Sequence, residues 1–299
     1  MGEPRSIVIT GASRGLGLAS AAHMHRLGWR VVAAMRSPDT GLEKLRAKTG
    51  ADVDDPRLIA IPLDLTDSAS VTAAAKAIED AVGAPHVLVH NAGISAAGMV
   101  EETPIDLWDR MFATHVFGPV LLTKALLPSM RAAGRGRIVV ISSQGGVRGM
   151  PEIAAYSAAK GALERWAESL AGEVAPFGLG VTVVVTGMFD TDIITDAGTS
   201  DHRDFSGPYA ALHRKIDRRG RFAMRFARPP RRFAQGLAKA VDDPAPFARH
   251  AVGVDARMLL VANRLLSSKA LHRVTRLAMG LPRPGALWNA PSEESENHD

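Results

Sequence analysis

From residue 6 to about 187 the chain alternates short β-branched apolar runs with longer Ala-rich stretches at helical spacing, and this alternation leaves few folds open. The runs are Ile7-Val8-Ile9, Val31-Val32-Ala33-Ala34, Leu58-Ile59-Ala60-Ile61, Val87-Leu88-Val89, Ile138-Val139-Val140-Ile141 and Val181-Thr182-Val183-Val184-Val185. Each is continuously apolar, as a strand buried on both faces must be. Helices are expected near 15–28, 41–48, 68–82, 105–133 and 154–177, several opened by Asp, Ser or Thr and closed by Gly. The pattern predicts an α/β fold with a parallel sheet covered on both sides.

After Gly187 the character changes. Segment 189–230, rich in Arg, Asp and Gly, reads as a substrate lid holding one helix among loops, and 231–290 as a helical extension with helices at 231–242 and 255–280. Residues 1–290 are then one domain. The last nine residues, 291–299, carry Glu293, Glu294, Glu296 and Asp299 without a Lys or Arg and read as an acidic disordered tail. The net charge is +5, so the chain without those four acids carries about +9. Such an excess attracts phosphates, anionic headgroups or an acidic chain, or is simply a solvated Arg-rich surface. The broadly apolar 255–280 needs a cover: the substrate lid, a subunit contact or peripheral attachment to a membrane surface. With 46% hydrophobic residues the chain builds a large core, and with no Cys it holds no disulfide, thiolate metal site or Cys nucleophile. No metal site is expected. Met1 to Ser6 lacks the apolar run of a signal peptide, and a soluble cytoplasmic protein is expected.

The first strand runs into Thr10-Gly11-Ala12-Ser13-Arg14-Gly15-Leu16-Gly17, after which helical spacing begins. Glycines let the backbone approach a pyrophosphate and turn onto a helix N-terminus, whose free N–H groups favour an anion. The spacing is G-x3-G-x-G, not G-x-G-x-x-G, and a tight connection without a ligand has the same appearance. Where an NAD site places Asp or Glu after the second strand, this chain has Met35-Arg36. Arg36 offers a bidentate donor to a 2′-phosphate, with Arg14 as a second cation, so NADP(H) is favoured over NAD(H). Asp39 stands close by, and a solvated loop cation is the other reading of Arg36.

Ser143 follows the fifth strand at its carboxyl edge, and Tyr156-Ser157-Ala158-Ala159-Lys160 opens a helix thirteen residues later. The i,i+4 spacing puts Tyr156 and Lys160 on one face. An unperturbed Tyr titrates near 10 and is a poor base at neutral pH, but a Lys ammonium and an oxidised nicotinamide both favour its phenolate (roughly, by the ordinary side-chain values). Ser143 can bond an oxygen on which charge develops.

With these motifs in order, the chain resembles the classical short-chain dehydrogenase/reductases. The match covers residues 6 to about 191: Thr10 to Gly17, Asp64 in Asp64-Leu65-Thr66-Asp67, Asn91-Ala92-Gly93, Ser143, Tyr156, Lys160 and Thr191. The resemblance implies a Rossmann-type, doubly wound, seven-stranded sheet, completed by a short strand near Ala251 to Val254. It implies Tyr156 as acid/base, Lys160 on the nicotinamide ribose and Ser143 orienting the substrate. Asp64 and Leu65 would flank adenine, Asn91, Ala92 and Gly93 line the cofactor groove, and Gly187 and Thr191 face the nicotinamide, Thr191 at its carboxamide. A homodimer or homotetramer is implied, built on the helices at 105–133 and 154–177. The Arg-rich lid and the extended C-terminal region are similar to those of hydroxysteroid and retinol dehydrogenases, which implies an apolar alcohol or ketone substrate.

Three departures stand out. The family's helical Asn, which holds a proton-relay water, is His115, either a relay or a local packing residue. Asn-Asn-Ala-Gly is His90-Asn91-Ala92-Gly93, and Pro-Gly after the sixth strand is Thr186-Gly187, which predicts a less rigid loop at the nicotinamide face. Two readings compete with an oxidoreductase: a catalytically impaired NADP(H)-binding regulator, and a nucleic-acid or membrane-surface binder using the Arg-rich segment 214–232. Few aromatics interleave there, so no nucleic-acid partner is expected.

Overall fold

The computed structural model describes residues 4–191 and 199–286. Residues 192–198 of the expected lid and the acidic 291–299 lie outside the described residues. Among the described residues nine strands occur in chain order: β1 (Ser6–Thr10), β2 (Arg30–Met35), β3 (Leu58–Pro62), β4 (Val87–His90), β5 (Ser95–Ala97), β6 (Gly136–Ser143), β7 (Leu179–Thr186), β8 (Thr199–Asp201) and β9 (Phe247–Val252). Seven form one sheet in the order β3-β2-β1-β4-β6-β7-β9, every pairing parallel. This is the doubly wound, seven-stranded Rossmann-type sheet that the sequence implied.

Because successive strand residues point to opposite faces, each apolar run feeds two cores. Val8, Val32, Leu88 and Val140 face Ser68–Val82, Gly118–Ala132 and Ala154–Val174. Ile7, Ile9, Val31 and Val139 face Gly15–Arg26, Pro38–Thr49 and Pro230–Val241. The stretch Ile105–Ala132 is long and apolar enough to cross a membrane by length and composition, yet Leu122, Leu126 and Met130 bury one side of it on the sheet.

Three expectations are refined. The last sheet strand begins at Phe247, four residues before the expected position. The segment expected as one helix over 255–280 is two, Val254–Leu265 and Ser268–Met279. The second is capped by Ser267, whose hydroxyl accepts from the N–H of Ala270 at 3.3 Å. Segment 189–230 contains its expected helix, Ala210–Met224, and also β8, which pairs with β5 as a small separate sheet. Three-residue strands without a periodic run leave no signal in the sequence.

Candidate active site

The strand order reverses between β1 and β4, and an open sheet forms its crevice at the carboxyl ends there. Gly11 takes φ +68°, which favours glycine, and its N–H donates to the carbonyl of Ala34 at 2.8 Å. A Cβ on Gly11 would lie 2.7 Å from Cα of Ala92, and one on Gly17 only 2.3 Å from the Gly11 oxygen. The Asn91 amide donates to the carbonyls of Thr10 at 2.8 Å and Gly11 at 3.3 Å. Thr10 Oγ1 accepts from the N–H groups of Asn91 and Ala92, both at 3.0 Å. Gly93 lies against the His115 ring: a Cβ there would be 2.6 Å from Cε1.

The helix Gly15–Arg26 that leaves this loop has no side-chain cap and no acid in its first turn. Its leading N–H groups therefore suit an anion. Arg14 is exposed beside it, Ser13 is half-buried, and Leu16 packs on the core. Thr191 is buried with its side chain 3.6 Å from where a Gly15 Cβ would stand, at the same helix start. The glycine cradle and the uncapped helix start fit a dinucleotide pyrophosphate.

At the far end of the groove Arg36 is exposed just past β2. Asp64 accepts from the N–H and hydroxyl of Thr66, at 2.9 and 2.7 Å. Those bonds, with a smaller contribution from Arg36, hold its carboxyl below the usual range, which puts Arg36 and Asp64 in one corner. Leu65 is buried and belongs to the core.

Ser143 ends β6 and caps the turn Gln144–Val147, its Oγ accepting from the N–H of Gly145 at 3.3 Å. Tyr156 and Lys160 share one face of Ala154–Val174, as their spacing predicted. Burial pushes the Tyr156 phenol above its ordinary value, and a hydrogen bond from Ser143 opposes this. Lys160 is buried and donates from Nζ to the carbonyl of Ile141 at 2.7 Å, with Nζ 5.8 Å from the Tyr156 ring centre. Burial pushes Lys160 down to about 7, Glu164 opposing. Both groups are desolvated together, and the ammonium spends its bond on Ile141.

His115 sits in a π-helical turn, Ala113–Phe117, inside the long helix, a distortion frequent at functional sites. Its Nε2 lies 2.9 Å from the carbonyl of Ile94, Nδ1 is buried without a hydrogen-bond partner among the described residues, and the ring meets Tyr156 edge-on at 5.4 Å. Burial and the neighbouring Lys160 hold it well below its ordinary value, hence neutral. His90 is likewise neutral, pushed down to about 3 by burial and bonded to Thr123 Oγ1 at 2.8 Å.

The loop after β7 is better anchored than Thr186-Gly187 suggested. Thr186 donates to the carbonyl of Ser142 at 2.8 Å, and Asp255 accepts from the Met188 N–H and from Gln144 Nε2, both at 2.7 Å. Sequence reasoning passed over Asp255, although it is the sole acid from 244 to 292. Glu164 was also missed, despite continuing the ladder Tyr156, Lys160 at i,i+4. It accepts from Ser142 Oγ at 2.6 Å and pairs with Arg249, while burial raises its carboxyl.

The sheet order and crevice define the class of dinucleotide-binding α/β enzymes. The sequence model of the short chain dehydrogenases matches residues 5–201. A 3-ketodihydrosphingosine reductase of Bacteroides thetaiotaomicron is 32% identical over 88% of this chain and 93% of its own length. Dehydrogenase/reductase SDR family member 7B of Xenopus tropicalis is 37% identical over 67% of this chain, which spans 65% of that protein. The crystal structure of a short-chain dehydrogenase from Streptomyces avermitilis superposes with TM-score 0.79 at 34% identity, over 94% of this chain and all of that one. The chain belongs to the short chain dehydrogenase family, whose members are oxidoreductases that use a nicotinamide cofactor on small molecules.

Proposed function

We propose that this protein is an NADP(H)-dependent oxidoreductase that interconverts a secondary alcohol and a ketone on an apolar, lipid-like substrate. The observation that carries the reading is the cluster of Ser143, Tyr156 and buried Lys160 at the carboxyl end of β6. Arg36 supports NADP(H): it follows β2 where a ribose-binding carboxylate would repel a 2′-phosphate. The relative that acts on a ketosphingoid lipid supports the substrate class.

Gly11, Gly15 and Gly17 would hold the pyrophosphate, Thr191 the nicotinamide carboxamide, Arg36 and Arg14 the 2′-phosphate, and Asn91 to Gly93 the groove floor. When bound, the cofactor supplies or accepts the hydride at nicotinamide C4. In reduction, Ser143 donates a hydrogen bond to the carbonyl oxygen and Tyr156 Oη delivers the proton to it; in oxidation Tyr156 takes that proton back. Lys160, with a proton that leaves near neutrality, restores the phenol. His115 walls the phenol ring as a neutral group.

The test is a fluorescence titration with NADPH and, separately, NADH. Binding of NADPH at least about tenfold tighter, roughly 1.4 kcal/mol, is expected. Equal affinities would overturn the cofactor assignment, and binding of neither would overturn the oxidoreductase reading itself.

A further inference from the structure

The chemistry of the crevice does not use the most unusual surface of the molecule. From Arg218 to Val241 there is no acidic residue among eight Lys and Arg, and from Ala256 to Ala286 none among six. These stretches meet in space. Arg219 Nη1 donates to the carbonyls of Leu277 and Ala278, at 2.7 and 2.6 Å, closing the C-terminal end of Ser268–Met279 onto the lid helix Ala210–Met224. Val254–Leu265 packs against Ser268–Met279 in turn.

The face so assembled is as apolar as it is basic. On Val254–Leu265 the exposed side chains are Val254, Met258, Val261 and Leu265, an i, i+4, i+7, i+11 row along one side of the helix. Leu265 is 75% exposed and Met258 66%. Arg257 and Arg264 flank that row, and Asp255, the one acid of the helix, is turned inward onto Gln144 and Met188. Leu277 and Val274 continue the apolar surface on the next helix. At the end of the helix Ala210–Met224, Phe222 meets Phe226, just beyond it, edge-on at 5.6 Å, both exposed. Beside them lies a hollow of about 340 Å³ lined by Arg218, Arg221, Phe222, Arg225 and Asp217, the carboxylate held by Arg203 and Arg221.

We propose that this face, formed by the lid helix and the two C-terminal helices, docks on the headgroup layer of an anionic lipid bilayer. Aliphatic rows bordered by Arg, with the acids Asp217 and Asp255 both bonded within the protein, match what such a layer offers, an apolar interior beneath negative charge. A second copy of the chain fits poorly, because a two-fold contact would set the same cations against one another. A nucleic acid would satisfy the arginines and leave the Met258–Val261–Leu265 row in water. The docked lid would let an apolar substrate pass from the bilayer, a consequence that rests on the proposed substrate class; the docking itself does not.

The experiment is co-sedimentation of the full chain with vesicles of phosphatidylcholine alone or with about 30% phosphatidylglycerol, at low and high salt. Binding to the anionic vesicles at least about tenfold above the neutral ones is expected, weakening with salt. Leu265→Glu with Leu277→Glu, and separately Arg218→Glu with Arg225→Glu, should each lower it about tenfold. These side chains are exposed, so the thermal midpoint and the NADPH titration should stay as in the parent, which separates failure of docking from failure of the cofactor reading. Equal binding to neutral vesicles, variants that bind like the parent, or tighter binding to an oligonucleotide would each overturn the proposal. So would a solution dimer that Leu265→Glu dissolves.

Discussion

Gly17→Ala tests the glycine loop, because two physical effects there have opposite signs. Gly17 lies within the helix Gly15–Arg26 at an ordinary helical φ, where Ala alone would stabilise by up to about 1 kcal/mol. Its Cβ would, however, stand 2.3 Å from the Gly11 oxygen and 2.5 Å from Asn91 Nδ2. Neither neighbour is a flexible side-chain end: one is backbone, and the other is fixed by bonds to Thr10 and Gly11. Opening the loop loses those two bonds, about 1 kcal/mol each, or leaves overpacking of about 1–3 kcal/mol. The clash wins, and the net change is a destabilisation of about 1–2 kcal/mol, or roughly 2–6 °C in thermal midpoint.

The assay is thermal unfolding by circular dichroism together with the NADPH titration. NADPH affinity should fall about tenfold or more, since the displaced Gly11 and Asn91 belong to the proposed groove. Gly172→Ala is the control: it is exposed in Ala154–Val174, a Cβ there meets nothing within 4 Å, and a gain of about 0.5–1 kcal/mol is expected. A Gly17→Ala protein with a raised midpoint and unchanged NADPH binding would refute the close-approach argument.

Tyr156→Phe should retain NADPH affinity and lose about 10²–10⁴ in turnover, measured with apolar ketones; unchanged turnover removes Tyr156 from the chemistry. Arg36→Asp should weaken NADPH about tenfold or more and spare NADH; a preserved NADPH preference sinks the assignment. His213 is fully buried between Glu152, 2.6 Å from Nδ1, and Glu102, 2.8 Å from Nε2. Burial alone would lower it, but the two carboxylates outweigh that and leave its value raised. The folded state thus holds that proton above the unfolded value, so this contribution is fully present below about pH 6.5 and is lost as pH rises through the folded value. The thermal midpoint should fall over that window and be flatter in His213→Gln; parallel profiles would refute it.

The elements that the sequence revealed are those whose residues serve a single demand. The continuous runs at 7–9 and 181–185 answer only to burial on both faces, so their strands were legible. Tyr156 and Lys160 share a helix face by spacing alone. What stayed hidden depends on partners far along the chain: β5 with β8, about a hundred residues apart, or Glu102 and Glu152 meeting His213. The break at Leu266-Ser267 was obscured because apolar spacing continues across it, and only the Ser267 cap marks it.

The departures from the family pattern show how such hidden partners change an inference drawn from one residue. Thr186 lacks the fixed φ of proline, and from sequence that means a looser loop. In the fold its hydroxyl reaches the Ser142 carbonyl, the residue before Ser143, while Asp255 ties Met188 to Gln144 just after it. The nicotinamide-face loop is therefore joined by side chains to the strand that carries Ser143. Ser142 also donates to Glu164, one turn beyond Lys160 and paired with Arg249 on β9. Three adjacent strands and the Tyr156 helix thus share one polar network. Losing the Thr186 bond would strand the buried Ser142 carbonyl, and losing the Asp255 bonds would leave the Met188 N–H and Gln144 Nε2 unpaired, at a cost of about 1–3 kcal/mol each, a larger restraint than the loop entropy that proline removes, about 0.4–1 kcal/mol. The rigidity that proline would supply is supplied here by Thr186 and Asp255.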